Sequence, residues 1–498
     1  MGPRVTAVAI ATILLISACT GAAPPQGNAR SGPTPSPTTA APGTIAWTDC
    51  GGGFQCRSVP VPLDYAHPTA GTIDIALNRK PATDQANRIG SLLINPGGPG
   101  ASGVDWVRGS AAALSILNRR FDLVGFDPRG VSRSSPVRCL DGSGADAFNA
   151  IDSVADDPAE KQALIQADMD YAAACAQRSA RILPFLDTAS AARDMDLIRV
   201  ALGDTKLTYL GFSYGTYLGQ MYAHLFPTRV RALSLDAVVD PAISFNDLVL
   251  AQVVSFEKNL QAFLADCIAR KAASPPCEWA QSGDPYAKLL ALMQRLDTNP
   301  MRVGNRLLTR SLAMTGVLWR AYYLETLPLL ESELAQIDRG NGAQLLASAD
   351  DLNGRNADGT YTNETDANNA INCLDHPVPT DVSAYDALGP AFAKASPFFG
   401  PWTQYSTLTC AYWAAKPTQA VGPLGADGAP PILLVGGTND PATPYAWAQG
   451  VHQQLAGSVL LTRVGNGHGS YGVSVCATRA ENEYLINLTL PADGTVCH

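Results

Sequence analysis

Leu207-Thr208-Tyr209-Leu210-Gly211-Phe212-Ser213-Tyr214-Gly215-Thr216-Tyr217-Leu218-Gly219 is the stretch on which the reading of this chain turns. An apolar run ending in Tyr209-Leu210 meets the pattern G-x-S-x-G, and a helix-like segment follows at once. A serine between strand and helix in this way is a candidate nucleophile elbow, its hydroxyl exposed at the tip of the turn. The turn brings strand and helix backbones together, and a Cβ at Gly211 or Gly215 would collide with them. The plain alternative is a Gly/Ser loop entering a helix, and only the rest of the chain separates the two.

Outward from this elbow, Leu92–Ile94, Phe121–Phe126, Leu207–Leu210, Ala232–Leu235, Ile432–Val435 and Val459–Val464 are short apolar runs with little alternation. Strands covered by helices on both faces read this way. Helical spacing over Ala189–Leu202 and Tyr214–Leu225 fills gaps between them. Alternating strands and helices predict an α/β fold with a mainly parallel sheet. Ser58–Leu63 and the alternating Ile73–Leu77 predict an antiparallel edge. Between Asp240 and about Pro430 the pattern is interrupted by helix-like stretches at Leu248–Arg270, Tyr286–Leu296, Leu307–Ile337 and Gln344–Leu352. They predict a helical cap over the carboxyl edge of the sheet.

Asn95-Pro96-Gly97-Gly98-Pro99-Gly100-Ala101-Ser102-Gly103 follows the Leu92 strand directly. A loop there is where one oxyanion donor would lie, the amide of Gly98 or Gly97, with the Tyr214 amide as the other. Neither G-K-[ST] nor G-x-G-x-x-G is present, which argues against a phosphate cradle. A serine nucleophile needs a base, and the chain has six histidines. His67 precedes the main sheet, His224 and His452 lie on helices, His376 falls in the insertion and His498 ends the chain. His468 alone stands in a glycine-rich loop straight after the last apolar strand, where the order Ser, Asp/Glu, His requires it. Asp440 closes the preceding strand and is the expected acid, with Asp236 its main rival and Asp240 a further one. An aspartate before Pro441 could also serve simply as a cap.

NPGGPGASG, FDLVGFDPRGVSRS (Phe121–Ser134), GFSYGTYLG, GTNDPATPY and GHGSY occur in that order, and together they resemble the tripeptidyl aminopeptidase branch of the α/β-hydrolases. Prolyl iminopeptidases are more distant relatives. The resemblance runs from about Trp47 to the C-terminus. It implies an α/β-hydrolase fold with a large inserted helical cap domain and a serine exopeptidase that releases short peptides, tripeptides foremost, from free N-termini. In prolyl iminopeptidases a histidine precedes Gly-Gly-Pro-Gly; Pro96 stands there, so a preference for N-terminal proline is not implied. In relatives that act on free amino termini, cap carboxylates bind the ammonium group. Asp375 is the candidate, with Glu364 and Asp366 behind it.

Composition bounds the alternatives. A formal net charge of −9 and the lack of basic runs argue against nucleic acid as a partner. Arg4 and the apolar stretch Val5–Ala18 predict a signal peptide over 1–18. Ile16-Ser17-Ala18-Cys19 resembles a lipobox, with Cys19 lipidated and holding the protein to a membrane. Residues 19–44, rich in Pro, Thr and Ser, predict a tether. Core residues are expected at 45–240 and 415–498, and the cap at 241–414. Of eleven cysteines, ten remain beyond Cys19, which suits disulfides in an exported chain. Their spacing suggests 50 with 56, 139 with 175, 267 with 277, 373 with 410 and 476 with 497. Without paired C-x-x-C or a histidine cluster, no metal site is expected, and the mechanism requires no cofactor. A carboxylesterase or lipase could use the same triad, and a recognition protein with a disused hydrolase core is the alternative of another class.

Overall fold

The computed structural model describes residues 45–273, 275–323, 326–417 and 422–498. The signal peptide, Cys19 and the tether lie outside the described residues. Ten strands form the main sheet: β1 (Thr48–Asp49), β2 (Gln55–Pro62), β3 (Thr72–Lys80), β4 (Gly90–Asn95), β5 (Phe121–Phe126), β6 (Leu207–Phe212), β7 (Val230–Asp236), β10 (Leu433–Asn439), β11 (Val459–Asn466) and β12 (Thr495–Cys497). A separate hairpin pairs β8 (Met301–Val303) with β9 (Arg306–Leu308).

The order across the sheet is β1-β2-β3-β5-β4-β6-β7-β10-β11-β12. Neighbours pair parallel from β5 to β12 and antiparallel from β1 to β5 through β3. Every residue of β4 and β5 is buried, which is why those runs show no alternation in sequence. At the edge, Ile73 and Ile75 point inward while Thr72 and Asp74 are exposed. Parallel pairing sets the carboxyl ends of β4, β6, β7, β10 and β11 along one rim. The register aligns Asn95 with Gly211, Phe212 with Asp236 and Asn439 with Asn466.

Between β7 and β10 the chain leaves this sheet and builds a helical layer with its own apolar core, in which Leu260, Phe263, Leu289, Leu312 and Leu345 are buried together. The expected single helix over Leu307–Ile337 is divided. Residues Arg306–Leu308 are β9, one helix spans Arg310–Ala321, and another starts at Leu327 with Pro328 in its first turn. Proline suits a first turn and breaks a helix interior. All five expected cysteine pairs are joined: Cys50–Cys56, Cys139–Cys175, Cys267–Cys277, Cys373–Cys410 and Cys476–Cys497. No described helix is long and apolar enough to cross a membrane.

Candidate active site

Ser213 joins β6 to the helix Tyr214–Leu225 with φ 54° and ψ −125°. A non-glycine residue there is strained by about 1–3 kcal/mol and needs its surroundings to hold it. Its N–H donates to the Asp236 carbonyl at 3.0 Å, and its own carbonyl accepts from Thr216 N–H at 2.8 Å and Thr216 Oγ1 at 2.6 Å. The two glycines of the motif act as expected: a Cβ on Gly211 would lie 2.5 Å from the Gly215 carbonyl, and one on Gly215 would lie 2.7 Å from that of Asn95. Ser213 is left half-buried, its side chain facing a cavity.

Asp440 follows β10 at once and His468 follows β11 by a short glycine turn. His468 Nδ1 lies 2.8 Å and 3.0 Å from the two carboxylate oxygens of Asp440. Asp440 also accepts from the N–H groups of Ala442, Thr443 and Gly469, so it caps its loop and holds the imidazole at once. Burial pushes its pKa up, but the imidazole and these N–H groups together bring it below the usual carboxylate value. For His468 burial alone would lower the pKa, yet the adjacent Asp440 carboxylate turns the net shift upward. The rival acid Asp236 is also buried, but its Oδ2 accepts the Ser470 and Tyr471 N–H groups at 2.8 Å and 2.7 Å. It shapes the loop that carries His468. Asp240 turns instead to the Ala242 N–H and Gln454. Among the described residues no hydrogen bond links Ser213 Oγ to His468.

The Gly97 backbone, at φ 102°, lies so close to the elbow that a Cβ would come 2.9 Å from that of Ser213 and 3.1 Å from Tyr214 N. The Gly97 N–H is engaged by Asn95 Oδ1 at 2.9 Å. The amides of Gly98 and Tyr214 have no acceptor among the described residues, and both residues border the Ser213 cavity. Tyr214 N–H also opens a helix, where unpaired amides and the helix dipole favour negative charge.

The helical layer reaches these loops directly. The Tyr322 carbonyl accepts from His468 N–H at 3.1 Å, Gln252 donates to the Ala442 carbonyl at 2.8 Å, and Lys258 donates to Asn439 Oδ1 at 2.5 Å. Asp375 is enclosed: its oxygens accept the Thr188 N–H at 2.8 Å and Oγ1 at 2.5 Å, and burial raises it to about 7. Asp366 accepts from Tyr171 Oη and Cys139 N–H. The Glu364 carboxylate has no hydrogen bond or ion pair among the described residues. Burial chiefly, with the charges of Tyr323, Asp440 and Glu364, raises the pKa of Tyr322 beside the cavity.

Sequence reading missed several contributors. Thr443, whose Oγ1 is 3.5 Å from His468 Nδ1, could have been found as the third residue after a capping aspartate. Asn95 and Tyr322 carry no comparable signal, since their roles arise from packing.

A serine, an imidazole on a buried carboxylate and open amides along the carboxyl rim of a parallel sheet mark the α/β-hydrolase class. Comparison with known proteins narrows this. Residues 396–497 match the TAP-like protein family. Serine protease Hip1 of Mycobacterium tuberculosis is 36% identical over 475 residues, covering 91% of each chain. Carboxylesterase B of the same species is 37% identical over 508 residues, covering 97% of this chain and 96% of its own. Tripeptidyl aminopeptidase of Streptomyces lividans is 32% identical over 469 residues, covering 91% and 86%. The chain belongs to the tripeptidyl aminopeptidase-like family of α/β-hydrolases, as serine hydrolases.

Proposed function

We propose that the protein is a serine exopeptidase that releases short peptides, tripeptides foremost, from free amino termini, with Ser213 as nucleophile, His468 as base and Asp440 as the group that orients the base. The observation that carries this is the His468 Nδ1 to Asp440 contact of 2.8 Å, which leaves Nε2 for the serine. The serine hydroxyl closes onto Nε2 when substrate binds, as catalytic hydrogen bonds often tighten only in the complex. Ser213 Oγ attacks the carbonyl carbon, and His468 takes the proton and passes it to the departing amine. The amides of Tyr214 and Gly98 receive the oxyanion; the Gly97 N–H is occupied by Asn95. Water then releases the acyl group by the same route.

Residues 241–414 act as the cap that restricts entry, on a core of 45–240 and 415–498. For the substrate ammonium the favoured partner is Glu364, whose carboxylate is unpaired among the described residues, over Asp375, whose oxygens are taken by Thr188. Five disulfides suit an exported protein, and Cys19 is the proposed lipid anchor to the cell membrane. A relative named carboxylesterase B, at 37% identity, favours ester cleavage as the second reading. Digestion of a mixed peptide library with free or acetylated N-termini, followed by mass spectrometry, separates them. Tripeptides released from free termini alone support the exopeptidase, whereas equal cleavage of blocked peptides, or ester turnover with no peptide turnover, contradicts it.

A further inference from the structure

The cavity beside Ser213 has a volume of about 320 Å³, and among the described residues no Asp, Glu, Lys or Arg lines it. Its titratable lining groups are Tyr214, Tyr217 and Tyr322, which burial keeps protonated, and His376, which burial lowers to about 4. The described lining is therefore uncharged wherever His468 can act as a base. A charged side chain brought inside would lose its hydration and meet no opposite charge on the described lining.

One wall has a donor without a partner. Asn368, Asn372 and the C-cap His376 recur at four-residue intervals along the helix Glu364–Asp375, so they share one face, and all three line the cavity. Asn368 is committed: its Nδ2 donates to the Pro99 carbonyl at 2.9 Å and its Oδ1 accepts from Asn372 Nδ2 at 3.0 Å. His376 is 4% exposed, and its Nδ1 is buried with no hydrogen-bond partner. Nε2 is thus the nitrogen that meets the cavity. The ring is fixed by Phe245, stacked at 5.1 Å and 22°, and by Tyr217 at 6.3 Å. A neutral imidazole has one N–H, and a buried N–H without an acceptor is rarer than an under-used acceptor. The proton belongs on Nε2, directed into the cavity.

We infer that His376 and Asn372 form a specificity-determining subsite that takes an uncharged substrate residue bearing a carboxamide, glutamine or asparagine, and excludes charged side chains. The carboxamide oxygen accepts the His376 Nε2–H, and its NH₂ donates to Asn372 Oδ1. This rests on the peptidase reading above.

The test uses peptides that differ only by Gln, Leu, Glu or Lys at one position, moved in turn through positions on both sides of the scissile bond, with active sites counted by fluorophosphonate titration. At one position kcat/KM is expected to be about tenfold higher for Gln than for Leu, and at least ~100-fold lower for Glu and Lys than for Gln. H376F keeps a flat ring against Phe245 without an N–H donor, and should erase the Gln-over-Leu preference mainly through KM. H376Q restores a donor and should keep part of it. Two results would overturn the inference: equal turnover of charged and neutral peptides at every position, or variants that lose active fraction or melting temperature while the preference stays unchanged. Turnover of p-nitrophenyl esters but of no peptide would defeat the peptidase reading instead. The subsite is then judged on acyl esters ending in carboxamide, methyl or carboxylate: the same ranking supports it and equal rates overturn it.

Discussion

His468 is half-buried beside a carboxylate that accepts from three backbone N–H groups as well as the imidazole. That surplus of donors keeps Asp440 ionised in spite of burial, and the ionised Asp440 in turn holds the His468 pKa above its ordinary 6.5. In the proposed mechanism the base works only when neutral, so kcat/KM should fall as pH drops through a value above 6.5. The sign reverses for stability: protonated His468 supports the fold below the unfolded pKa, and this contribution fades as pH rises through the raised value. D440N removes the cause of the upward shift and leaves burial, so the acid limb should move to lower pH while kcat falls by about 10⁴ through the wrong tautomer. A pH profile of kcat/KM for both proteins checks this; an unmoved acid limb would deny the pairing its role. Asp440 and His468 were legible in sequence because a parallel sheet puts functional loops straight after apolar runs. His376 was not, since a histidine ending a helix looks the same whether it faces water or a cavity.

Elements explain what single residues could not. The helix Glu364–Asp375 places an unpaired carboxylate at its start and a buried one at its end, and composition cannot tell them apart because burial is a tertiary fact. D375A strands the Thr188 N–H while Thr188 Oγ1 keeps Tyr214 Oη, so it should cost roughly 1–3 kcal/mol of stability, read by denaturant unfolding. E364Q should leave stability within about 0.5 kcal/mol and raise KM for free-terminus peptides about 10- to 100-fold, the strength of a charged hydrogen bond. The opposite pattern would return the ammonium site to Asp375. Uniform apolar runs made β4, β5, β6 and β7 readable, whereas the break after Ala321 needed more weight on Pro328 than helical spacing suggested. The helix Pro158–Arg178 was overlooked although Asp157 and Glu160 form a capping box around Pro158, a signal present in the sequence. β12 has three residues and joins the edge by parallel pairing with β11, too short a run to mark itself.

For the molecule as a whole, the carboxyl rim of the sheet and the helical layer depend on each other. The bonds from Tyr322, Gln252 and Lys258 fix the loops that bear Asp440 and His468, and Cys373–Cys410 ties the cavity-lining helix to the layer's end across a separation of 37 residues. A loop of that length is worth about 3–4 kcal/mol in the chain-entropy account. The double variant C373S/C410S should melt several degrees lower, and a melting temperature equal to the parent's would show that packing alone holds the helix. All of this presupposes that Ser213 is the activated nucleophile at the meeting point of core and cap. The most direct measurement is fluorophosphonate labelling of the parent, S213A and H468A, with the adduct located by mass spectrometry. The account requires one adduct, on Ser213, absent from S213A and formed at least ~10³-fold more slowly in H468A; an adduct on another residue, or undiminished labelling of S213A, would contradict it.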